Sequence, residues 1–190
     1  MRLRRYRCRG EDATVGGVGP EHIKRESLSG AHELADFHIP HLEKIEWMIE
    51  TNGWALEPVA PNPDADPPLP AYAYTIGLSA LVDFPEVVIF GLKPVAARGL
   101  IGLVVDMVQG GTEIPIGVEL VGLFDNDLRC LFAPVDVEPH AGYFTTAIAW
   151  RKGLPFEIVQ LLWPDRNGNL PTEPGYAQSM RLAQPVIATV

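Results

Sequence analysis

Tyr74, Thr75, Glu86, Gln160 and Asp165 are polar residues in or beside strand-like runs of this sequence. Polar side chains at strand ends can converge on a cleft, with Trp54 and Trp163 supplying flat apolar walls. Trp54, Tyr74, Thr75, Gln160 and Trp163 are therefore the candidate ligand-binding residues. Glu86 and Asp165 could act as general acid and base if burial pushed their pKa values apart, with Tyr74 or His140 assisting. The same residues have structural uses. Tyr74 and Gln160 can bond to backbone within a sheet, and Asp165 can cap the turn of residues 165–168.

Other reactive groups are sparse. His38-Ile39-Pro40-His41 places two imidazoles three residues apart, a spacing that metal sites use, but Pro40 interrupts a continuous helix across the pair. A third ligand would have to come from Glu33, Glu43 or the distant His140, so no metal site is assigned and His38 and His41 stand as weak candidates. None of Ser27, Ser29, Ser79 and Ser179 lies in a Gly-x-Ser-x-Gly elbow. Cys130 with His140 would make a thiol and base only if the thiol pKa were depressed, and acidic surroundings act the other way. Gly16, Gly17 and Gly19 follow no strand and precede no Gly-Lys-Ser/Thr, so they are no phosphate loop. No cofactor is expected.

Charge narrows the partners. The 190 residues carry 15 Lys and Arg against 24 Asp and Glu, a formal net charge of −9. Arg2, Arg4, Arg5, Arg7 and Arg9 hold five of those basic residues, leaving 10 basic against 24 acidic from Gly10 onward, or −14. Such a body repels phosphate backbones, and no basic stripe with interleaved aromatics follows residue 10, so the core is not expected to bind nucleic acid. No apolar run reaches the roughly 20 residues that cross a bilayer, and no apolar h-region follows the arginines. The expectation is no membrane and a cytoplasmic location. Cys8 and Cys130, far apart and outside any Cys-x-x-Cys, suit a reducing compartment.

The elements that must position these groups follow from periodicity. Residues 1–30 show little of it and read as a flexible Arg- and Gly-containing tail, with a single domain over 31–190. From Pro40, Leu42, Ile45, Met48 and Ile49 recur at helical spacing up to Asn52-Gly53. A short strand follows Trp54, and six prolines between Pro58 and Pro70 make the next loop a candidate rim or flap. Strands are expected at Ala71 to Leu78 and Glu86 to Phe90, then a helix from Pro94 closed by Gly110, apolar around most of its circumference. Ile116 to Phe124 and Leu128 to Val135 read as a hairpin, His140 to Trp150 as a short helix, Phe156 to Trp163 as a strand, and Pro185 to Val190 as an edge strand. Sequence-adjacent strands point to an α+β domain with a mainly antiparallel sheet packed against two or three helices.

Asn52-Gly53-Trp54, the run Ala73 to Leu78, Phe84-Pro85-Glu86-Val87, the run Gln160 to Asp165 and Gln184-Pro185-Val186 occur in an order that resembles the bacterial family known as domain of unknown function 4262. The resemblance covers about residues 40–188 and implies a single cytoplasmic bacterial domain without an established activity. Two departures stand out. Arg5 takes the place of the first cysteine of a Cys-x-x-Cys that many relatives carry, so no zinc or redox role passes to Cys8. Asn52 stands where the family has a histidine.

These observations lead to an accessory module binding a small molecule or peptide segment in a cleft rimmed by the proline-rich loop. The alternatives are a small acid/base enzyme, such as a hydrolase, isomerase or peptide-tailoring activity, and an acidic protein-interaction or immunity-type partner. The sequence leaves the oligomeric state open.

Overall fold

Residues 40–190 are described by the computed structural model. The proposed tail of residues 1–30, Cys8 and His38 lie outside the described residues. The first helix, α1 (His41–Asn52), buries Ile45 and ends at Gly53, whose φ of 81° closes the last turn through its N–H to the Ile49 carbonyl. The left-handed backbone favours glycine here, and a Cβ would also lie 2.7 Å from Leu81 Cδ1, so that side chain would have to shift.

Six strands form one sheet: β1 (Ala55–Val59), β2 (Tyr72–Ile76), β3 (Glu86–Phe90), β4 (Glu119–Val121), β5 (Arg129–Val135) and β6 (Ile158–Leu162). Their order is β1-β2-β3-β6-β5-β4, and every neighbouring pair is antiparallel except β3 with β6. The domain is α+β with a mostly antiparallel sheet. Strands β2, β3 and β6 are buried at every residue, which explains why they read as continuous apolar runs rather than alternating ones.

Both faces are covered. On one, Ala97, Leu100, Ile101, Val104 and Val105 of α3 (Pro94–Gln109) pack over Ala73, Val87, Ile89 and Leu161, with α2 (Leu78–Leu81) beside them. On the other, Ile45 of α1 and Ala147 of α4 (Thr145–Trp150) join Phe144, Tyr74, Val88 and Ile158. The apolar circumference expected of α3 is only half used: Val95 is 85% and Leu103 51% exposed, because a helix on an outer layer offers one face to the sheet. A last short helix, α5 (Gln178–Arg181), follows the loop after β6.

The hairpin of β4 and β5 turns through Asp125–Asp127, as its polar sequence suggests. Two expectations change. Residues 185–190 form no edge strand; they run over the sheet, held by Gln160 side-chain bonds to Pro185, Ile187 and Ala188. The proline-rich loop connects the end of β1 to the start of β2, pinned by the Asn62–Leu69 bridge. That places it at the opposite end of the sheet from Glu86, the first residue of β3.

Candidate functional site

Glu86 is fully buried at the end of the sheet, where β2 turns into α2. Its carboxylate accepts from Thr75 Oγ1 at 2.6 Å, the Leu78 N–H at 3.1 Å, the Gly77 N–H at 3.0 Å and Ser79 Oγ at 3.3 Å. Gly77 makes this turn with φ of 88°, which exposes its N–H and that of Leu78 to one carboxylate. A buried carboxylate needs a cation, and α4 delivers one: Arg151 Nη2 donates to Glu86 Oε1 at 2.9 Å and to Ser79 Oγ at 2.7 Å. The Arg151 guanidinium also lies 5.1 Å from the Phe156 ring centre and 5.8 Å from that of Trp150.

With five donors on about four lone-pair positions, Glu86 has no acceptor capacity left for a substrate proton. Its chemical effect is to fix Arg151. Among the described residues, Arg151 Nε is the one buried side-chain nitrogen or oxygen without a hydrogen-bond partner. Arg151 lines a cavity of about 180 Å³ together with Ser79, Asp83, Phe84, Pro85, Phe156 and Glu157.

Two neighbouring cavities share lining residues with it. One of about 450 Å³ shares Pro85, Phe156 and Glu157 and adds Ile116, Pro134, Val135, Asp136, Val137, Ile158 and Val159. Another of about 270 Å³ shares Val137 and Phe156 and adds Glu138, Ile148 and the connection from Gly153 to Pro155. Phe156 lines all three, so they lie side by side around its ring as a groove with apolar and acidic side chains in its lining.

The residues singled out in the sequence distribute unevenly around this site. Thr75 and Glu86 come together. Glu86 and Asp165 do not: Glu86 is level with Ile158 at the start of β6, whereas Asp165 follows Leu162 at its other end, so at least roughly 13 Å of strand separates them. Asp165 caps its own loop, accepting from the N–H groups of Asn167, Asn169 and Ala177 at 2.8, 3.0 and 2.8 Å. Burial alone would raise its pKa, but these bonds, the one from Asn169 foremost, bring it below the usual carboxylate range.

Tyr74 and Gln160 share a face of the sheet, each paired across to Val88. Tyr74 stands edge-on to Phe144, 5.5 Å between ring centres, and burial raises its phenol pKa. Gln160 is occupied by the C-terminal residues. Trp54 and Trp163 occupy opposite ends of the sheet. Trp54 precedes β1 and lies under Arg98, 5.2 Å away, while Trp163 follows β6 and donates Nε1–H to the Phe90 carbonyl.

His41 Nε2 donates to Glu57 Oε1 at 2.8 Å, and Thr146 Oγ1 donates to the same oxygen at 3.3 Å. His140 donates Nδ1–H to the Asp136 carbonyl. Cys130 is the second residue of β5 and His140 lies beyond the strand's far end, about 17 Å of strand away. Burial pushes the Cys130 thiol pKa up to about 12. Among the described residues no group of three His, Cys, Asp or Glu side chains could hold a metal ion, and no helix is long and apolar enough to cross a membrane.

Residues 48–177 match the family model described as Domain of unknown function (DUF4262). The chain belongs to this family. No curated protein and no solved structure matches it. Both ends of the Glu86–Arg151 pair and every residue lining the groove lie inside the DUF4262 match, so the pair belongs to the domain itself.

No sequence pattern singles out Arg151 or Phe156, and Ser79 figures there only as a serine outside a nucleophile elbow. The available signal was Glu86 itself: a carboxylate heading the apolar run Glu-Val-Val-Ile-Phe needs a buried cationic partner. Which cation answers it, 65 residues away, is not written in any local pattern.

Proposed function

We propose that this DUF4262 domain is a cytoplasmic bacterial binding module, and that it takes a small molecule or peptide segment in the groove around Phe156. The observation that carries the reading is the Glu86–Arg151 pair in the groove wall. Arg151 is pre-oriented there by a carboxylate that is itself saturated. A guanidinium fixed in this way holds its donors for a ligand at little entropic cost. The guanidinium borders the cavity, which supports a ligand that brings a carbonyl oxygen. The separation of Glu86 from Asp165 favours binding over acid/base catalysis by that pair. Cys130, a free buried thiol, fits a reducing compartment.

The test is calorimetric screening of the full chain against metabolite and peptide libraries, repeated with Ile116→Lys and Leu154→Lys. Both positions are exposed in the groove wall, at 40% and 67%, so charges there block the floor without disturbing the core. Ligands should bind the native chain and lose affinity for both variants. A chain that binds nothing yet turns over a substrate, or ligands indifferent to both variants, would overturn the proposal.

A further inference from the structure

We infer that the occupant of the groove is a basic peptide segment whose arginine or lysine side chains alternate with apolar ones. This rests on the groove being the binding site, and concerns what it selects. The lining is largely apolar: Pro85, Val135, Val137 and Phe156 line the two larger cavities, with Ile116 in the wall. The rim is acidic. Asp83, Asp136, Glu138 and Glu157 all line one or another of the three neighbouring cavities, and all are exposed.

The one cation in the lining, Arg151, is cancelled by Glu86. Even with Lys152 of the adjoining loop included, four carboxylates against one ammonium leave the lining of these cavities at −3. An anionic ligand would meet that field as repulsion, and a neutral apolar one would leave it unanswered. A cationic segment complements it.

Alternation follows from shape. In an extended peptide successive side chains point to opposite sides. One set then lies on the apolar floor while the other reaches the carboxylates, and backbone carbonyls pass the Arg151 guanidinium. The acidic excess of the body from Gly10 onward, −14, would speed the approach of such a segment.

The experiment is fluorescence anisotropy of the full chain with three labelled, end-capped hexapeptides: alternating Arg and Val, alternating Glu and Val, and alternating Arg and Ser. The Arg–Val peptide should bind at least about fivefold more tightly than either other, and weaken between about 50 and 500 mM NaCl. Glu138→Gln and Glu157→Gln should each weaken it by about twofold to fivefold. Binding of the Glu–Val peptide at equal or greater strength overturns the cationic class. If Ile116→Lys abolishes that binding, the groove itself survives. Arg–Val binding indifferent to Ile116→Lys and Glu157→Gln overturns both class and site. No binding of any of the three up to about 1 mM overturns the class, leaving the library screen to decide the groove.

Discussion

Arg151 and Glu86 meet across 65 residues of sequence to form an ion pair of 2.9 Å at the end of the sheet, with the carboxylate wholly buried and the guanidinium on a cavity wall. The pair joins α4, from one face of the sheet, to the β2–α2 turn. Removing one partner leaves the other charge without compensation.

Glu86→Gln should therefore destabilise the domain by about 3–5 kcal/mol. Arg151→Met should cost a similar amount, and the double variant less than the sum of the two. Urea denaturation of the four proteins measures this. Additive losses would show that the two side chains do not stabilise one another.

Asp165 gives the fold an acid-sensitive point. Its folded-state pKa lies below the unfolded value of about 3.9, so its stabilisation is fully present above that value and is lost as pH falls through the folded pKa. Asp165→Asn should lower the urea midpoint at pH 7, and the gap from the native chain should close on acidification below about pH 4. A gap that stays constant with pH would mean that charge on Asp165 contributes nothing.

Gln160→Leu should release the C-terminal residues. The variant removes the acceptor of the Ile187 and Ala188 N–H groups and the donor to the Pro185 carbonyl, at a cost of about 1–3 kcal/mol. Hydrogen exchange at Ile187 and Ala188 should accelerate while β3 and β6 keep their protection. Unchanged exchange at both amides would place their protection elsewhere.

Cys130 should be inert in the folded chain. With its pKa pushed up to about 12, the thiolate fraction at pH 8 is roughly a thousandfold below that of a free cysteine. In the Cys8→Ser variant, which leaves Cys130 as the sole thiol, a disulfide reagent should label native protein at least about a thousandfold more slowly than protein in urea. Comparable rates would contradict its burial.

Much of the scaffold was legible because it depends on local rules. Helical spacing from Leu42 to Ile49, Gly53 as a left-handed stop, Pro94 in a first turn and the polar turn between β4 and β5 each follow from the residues within about one element's reach. Asp165 illustrates the boundary. Its turn of residues 165–168 is legible, but the third bond, from Ala177, comes from a later segment of the loop. Residues 185–190 illustrate failure: an apolar run ending in Val reads as a strand, yet Gln160 takes its backbone groups and no strand forms.

By itself the sequence determined that these residues build strands and helices of an acidic α+β domain, since propensity, periodicity and charge are properties of neighbouring residues. Only the tertiary structure decided that Glu86 faces Arg151 rather than Asp165, that the proline loop lies at the other end, and that three cavities are lined by Phe156. The physical reason is that parallel pairing of β3 with β6 puts their starts at one end of the sheet and Asp165 at the other, and that pairing spans about 70 residues of chain.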